Sequence, residues 1–209
     1  MTQDYLDLNV RLMKQIDRLA DDVPEKGIDA WVRTKRQELR ATLSSEGIST
    51  DILESLFHQE SMIEKGYQDE DILALFSSDQ DIEAMHIYNA MNIDFYCIEY
   101  MLRRHEKPHL VNYGTIQKKD IDSAKDLENL IYKSNYFREL SPIQHKNYRK
   151  KMDEIMYRTF KPRAYQGIGV DGVVSKVILY NLLLDSTRVD VKSKKFGIQS
   201  PEIVRNFHV

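Results

Sequence analysis

The chain has 209 residues, enough for one sizeable domain or two small ones, and its 42% hydrophobic and 30% charged residues allow a full core under a well-solvated surface. Its 8 glycines and 5 prolines are too few for the many tight turns of an all-β protein of this size. The formal net charge is only −3, and the single cysteine, Cys97, excludes an internal disulfide or a Cys-based zinc site and points to a reducing, cytoplasmic compartment.

Hydrophobic spacing predicts helices almost throughout. Tyr5, Leu8, Leu12, Ile16 and Leu19 recur at steps of three and four, so a first helix is expected from about Gln3 to Asp21. No signal peptide is expected in it, because Met1-Thr2-Gln3-Asp4-Tyr5 has neither a basic nor an apolar run. A second helix, about Ile28 to Ser44, rests on Trp31, Val32, Leu39 and Leu43, with Gly47 in the C′ position. A third begins near Asp51, whose pairing with Glu54 resembles a capping box, and is expected to close at Gly66. A short fourth covers about Asp69 to Phe76.

The fifth predicted helix, about Asp79 to Arg104, is apolar on two opposite faces. One carries Ile82, His86, Asn89, Ile93, Cys97 and Tyr100, the other Ala84, Met91, Phe95, Ile98 and Leu102. Such a helix packs on both sides and is expected to be a buried axis. Glu83, Asp94 and Glu99 within it argue against a membrane span. After an irregular stretch from His109 to Ile116, a sixth helix is expected from Asp120 to Phe137 and a seventh from Pro142 to Phe160. Lys161 to Gly172 reads as a loop, Val173 to Asp185 as a strongly apolar eighth helix, and residues 186–209 as a loosely packed tail. The expected fold is thus all-α, a single-domain helical bundle or irregular array of about eight helices around a buried central one.

Several patterns bear on chemistry. Gly167-Ile168-Gly169-Val170-Asp171-Gly172 matches G-x-G-x-x-G, but no strand precedes it, so the dinucleotide fingerprint lacks its context. Free amides at a helix start, with Arg158, Lys161 and Arg163 upstream, would suit a phosphate instead, although Asp171 would compete with it. Arg104 and His109 have the Arg-to-His spacing of HEPN-type helical ribonucleases over six residues. Arg103 with His109 and Arg138 with His145 match equally, so the spacing does not discriminate and no family is assigned. Two Glu-x-x-His pairs, Glu83 with His86 and Glu106 with His109, lie roughly 35 Å apart along one predicted helix, too far to share a di-iron centre.

Two function classes follow. From Ser141 to Val209 there are thirteen Lys and Arg against six acids. Arg149, Lys150, Lys151, Arg158, Lys161 and Arg163, interleaved with Tyr148, Tyr157, Phe160 and Tyr165, could neutralise phosphates and stack on bases. The first reading is therefore an interaction protein whose basic C-terminal third contacts nucleic acid or an acidic protein surface. Conversely, Asp51 to Glu83 holds ten acids against Lys65 alone. The alternative is a nucleotide- or nucleic-acid-processing enzyme holding Mg²⁺ or Mn²⁺ on Glu54, His58, Glu60, Glu64, Glu83 and Asp94, by analogy of architecture with all-α nucleotide pyrophosphohydrolases. Self-association through an apolar face is a third reading, and no membrane is expected.

Overall fold

The computed structural model describes residues 5–24, 26–57, 70, 81–105, 114–133, 148–194 and 197. Eight helices and no strand occur among them, so the fold is all-α. None of the described helices is long and apolar enough to cross a membrane. The chain divides into two compact units, residues 1–57 with 157–209, and residues 58–156.

Unit 1 holds α1 (Leu6–Arg18), α2 (Ile28–Ser45), α3 (Thr50–Leu56), the last ten residues of α7 (Tyr148–Gln166) and α8 (Gly169–Lys194). The expected apolar stripes of α1 and α2 are the ones buried: Leu8, Leu12, Ile16 and Leu19, then Val32, Leu39 and Leu43. Gly47 closes α2 with φ +80°, and Ile48 N donates back to Leu43 O at 3.1 Å, a Schellman end. At α3 the cap differs from expectation. Ser49, not Asp51, accepts from the helix, through Ile52 N at 3.4 Å, and α3 ends at Leu56 rather than near Gly66.

The axis of unit 1 is α8, against which α1, α2 and α3 all pack. It is buried around its whole circumference from Gly172 to Asn181, and Val173, Val174, Val177, Ile178, Leu179, Leu183 and Leu184 are all buried. Each such side chain contributes about 1.5–3 kcal/mol of burial. This helix begins four residues earlier than Val173 and continues nine beyond Asp185, so residues 186–194 are helix and not a loose tail. The expected loop from Lys161 to Gly172 shrinks to Gly167 and Ile168, because α7 continues through Pro162. Proline removes one N–H from the helix ladder. Phe160 and Ala164, both at 0% exposure, hold the surrounding turn by packing.

Unit 2 holds α4 (Glu83–Arg104), α5 (Lys118–Ser123), α6 (Leu127–Lys133) and the first nine residues of α7. As its spacing predicts, α4 is buried on opposite faces, including Ile93 and Cys97 on one and Met91, Phe95 and Ile98 on the other. His86 is the departure, since it is exposed. The single sixth helix expected from Asp120 is instead two. Ala124 turns extended (ψ 128°), and Asp126 recaps the chain by accepting from Asn129 N at 2.8 Å. Apart from Glu70, the fourth predicted helix lies outside the described residues, as does the start of the seventh.

Candidate functional site

The six basic candidates all sit on α7, which carries two acids, Asp153 and Glu154, against them. They fall into two sets. In unit 2, Arg149 approaches Glu99 at 4.0 Å, a carboxylate already held by Arg103 at 2.7 Å, and Lys150 lies 3.7 Å from Glu154. Lys151 is half-buried. In unit 1, residues 157–166 carry Arg158, Lys161 and Arg163 and no acid. Lys161 Nζ lies 5.3 Å from the centre of the Tyr157 ring, a cation–π contact that fixes the amine without neutralising it.

The interleaved aromatics separate cleanly. Tyr148, Tyr157 and Phe160 are buried, so they belong to the core. Tyr148 donates its hydroxyl to the Phe95 carbonyl, and burial raises its phenol well above the ordinary value. Tyr165, in contrast, is 52% exposed, and Ile168 beyond it is 79% exposed. One open aromatic, Tyr165, therefore lies in the same ten-residue stretch as Arg158, Lys161 and Arg163. Among the described residues, three further bases of the C-terminal third are held in ion pairs. Arg188 pairs with Asp185 at 3.2 Å, Lys192 with Asp29 at 2.7 Å, and Lys194 with Asp190 at 2.7 Å.

The Gly167–Gly172 turn presents carbonyls to a buried lysine. Lys176, at 3% exposure, directs Nζ at Asn9 Oδ1 (2.8 Å), Gly167 O (3.1 Å) and Gly172 O (3.4 Å). Asn9 in turn donates Nδ2 to Gly169 O at 3.0 Å and to Tyr5 O at 2.9 Å. The turn is a cradle for the chain's own cation, and Gly172 N is bonded to Ile168 O at 3.2 Å. No carboxylate takes part in the cradle, and burial holds the Lys176 ammonium below the ordinary lysine value. Lys176 and Asn9 escape a motif search, yet a lysine inside the apolar run from Val173 to Leu184 is itself a signal.

The carboxylate set divides differently. His58, Glu60 and Glu64 lie outside the described residues. Glu54 pairs with Arg40, Glu83 is exposed, and Asp94 is fully buried. Asp94 accepts from Thr115 Oγ1 at 2.5 Å, Thr115 N at 3.1 Å and Ile116 N at 2.9 Å, so it clamps the 114–116 segment onto α4. Among the described residues no three His, Cys, Asp or Glu converge as a metal site.

Comparison with protein-family models, characterised proteins and solved structures finds no match to the chain.

Proposed function

We propose that this is a non-enzymatic helical binding protein whose basic C-terminal third meets an anionic partner, nucleic acid first among the candidates. The observation that carries the reading is the acid-free half of α7, where Arg158, Lys161 and Arg163 stand beside exposed Tyr165. Bases neutralise phosphates and release counterions, and an open aromatic stacks on an unpaired base regardless of sequence. A single-stranded partner fits this pairing better than a duplex, whose bases are already stacked.

The test is fluorescence anisotropy with labelled single- and double-stranded oligonucleotides at two salt concentrations. Single strands should bind at low ionic strength and weaken as salt rises, with a log–log slope of roughly −0.7 per neutralised phosphate. Tyr165→Ala should cost about 1–3 kcal/mol, the worth of one stacked base. Arg158→Glu with Lys161→Glu should weaken binding more than Lys150→Glu with Lys151→Glu, because Lys150 already faces Glu154. Absence of binding to every oligonucleotide at low salt would remove the nucleic-acid form of the proposal.

A further inference from the structure

A cleft of about 230 Å³ opens in unit 1 among α1, α2 and α8. Lys14, Gln15 and Arg18 line it from α1, Lys35 and Glu38 from α2, and Tyr180 from α8. Asp22, after α1, completes the charged lining, giving three bases against two acids. Both acids face Lys35, each at 3.7 Å, so that trio carries a net single negative charge among itself. Lys14 and Arg18 have no ion-pair partner among the described residues, although one helical turn brings them to the same wall. Tyr180 is buried at 4% exposure, and its hydroxyl has no hydrogen-bond partner among the described residues. A buried phenol of this kind usually finds a partner, so its oxygen is available to a guest.

The geometry points to this cleft as a binding site for a small organic anion, a phosphate monoester or a carboxylate, with its head group against Lys14 and Arg18 and the Tyr180 hydroxyl donating to it. Asp22 and Glu38 then suit hydroxyl or amino groups on the rest of the ligand. The volume lies below the roughly 300–1,000 Å³ of drug-sized sites, which favours a small metabolite over a dinucleotide. The phenol supports the donor role, since burial and the charges of Glu38 and Asp22 push Tyr180 up to about 12 and keep it protonated. The cleft shares no residue with the α7 patch, so it does not rest on nucleic-acid binding.

The experiment is calorimetric titration of the full chain with inorganic phosphate, glycerol phosphate and malate, each against sodium chloride of matched ionic strength. At least one should saturate below about 10 mM, which allows for a Kd near 1 mM. The phosphate and carboxylate arms identify the head group. Lys14→Ala with Arg18→Ala should weaken that ligand at least tenfold, and Tyr180→Phe several-fold. The two α1 positions are exposed and alanine is the best helix former, so the double variant should fold. No saturable binding by any of the three, or an unchanged affinity in the double variant, overturns the proposal.

Discussion

Replacing Gly172 by alanine tests whether the Gly-rich turn is a packed cation cradle. On an open helix this change stabilises by up to about 1 kcal/mol. Here the new methyl would lie 2.3 Å from Gly167 O, 2.5 Å from Gly167 C and 2.7 Å from Asn9 Oδ1, whereas real Cβ contacts essentially never fall below 3.0 Å. Backbone must therefore move by about 0.7 Å. The atoms displaced are the acceptors that hold Lys176. Overpacking costs about 1–3 kcal/mol, and a weakened hydrogen bond to a charged amine about 1.5–3 more. The net expectation is a loss near 3 kcal/mol. Gly169→Ala is the control: its methyl meets nothing within 4 Å, so only the strain of φ +62° remains, about 1–2 kcal/mol. Urea denaturation followed by Trp31, the sole tryptophan and a residue of unit 1, reads both variants. If Gly172→Ala is as stable as Gly169→Ala, the close approach of Gly172 to Gly167 and Asn9 is not what the turn requires.

Asp94→Asn keeps the shape of the side chain but turns one acceptor oxygen into a donor facing an N–H or O–H. It should cost about 2–4 kcal/mol by circular dichroism in urea, from lost charged hydrogen bonds and an unsatisfied buried donor. Mg²⁺ should leave the melting temperature of the wild-type chain unchanged if Asp94 serves the clamp alone; a saturable shift would revive the metal reading. The alkaline limb offers a further check. Tyr180 ionises at about 12 when folded and near 10.0 when unfolded, so the folded state holds the proton longer and stability falls as pH rises between those values. Tyr180→Phe should flatten that fall in urea titrations, and an unchanged slope would place the phenol in water. Lys176 acts with the opposite sign. Its folded value lies below 10.5, so its burial cost is present at neutral pH and is relieved as pH approaches 10.5; Lys176→Met should remove that rise.

Periodicity carried the helices because each stripe reports a local property, the side of a helix that loses water. The stripes of α1 and α2 and the two buried faces of α4 were legible for that reason. Tertiary packing decided the rest. Pro162 signals a break, yet buried Phe160 and Ala164 keep α7 helical across it. Asp126 is an ordinary polar residue until Ala124 turns extended and makes it a cap. The Gly-rich motif follows the helix α7 and not a strand. Its actual partner, Lys176, could not be paired with Asn9 from sequence, because 167 residues separate them. Nor could spacing show that Lys14, Arg18 and Tyr180 share a cleft, since α8 returns to α1 only through folding.

The charge asymmetry of the chain also changes meaning once it is folded. Thirteen late bases suggest a broad positive surface, but α8 contributes little to one. Its Lys192 reaches Asp29 at the start of α2, and the same contact holds the Asp29 carboxyl below the usual range. Arg36 of α2 meets Asp185 of α8 at 2.6 Å, so charges of both signs cross between these helices. The Lys192–Asp29 pair is exposed and screened by solvent, so it does little for the fold, whereas Arg36 is buried. Both pairs act on the field. A base held against a carboxylate presents a dipole, which falls away faster with distance than a charge and attracts a polyanion weakly. The ion pairs of α8 thus leave less of that helix's charge to attract an anionic partner of the kind proposed, and the test of that proposal falls on α7.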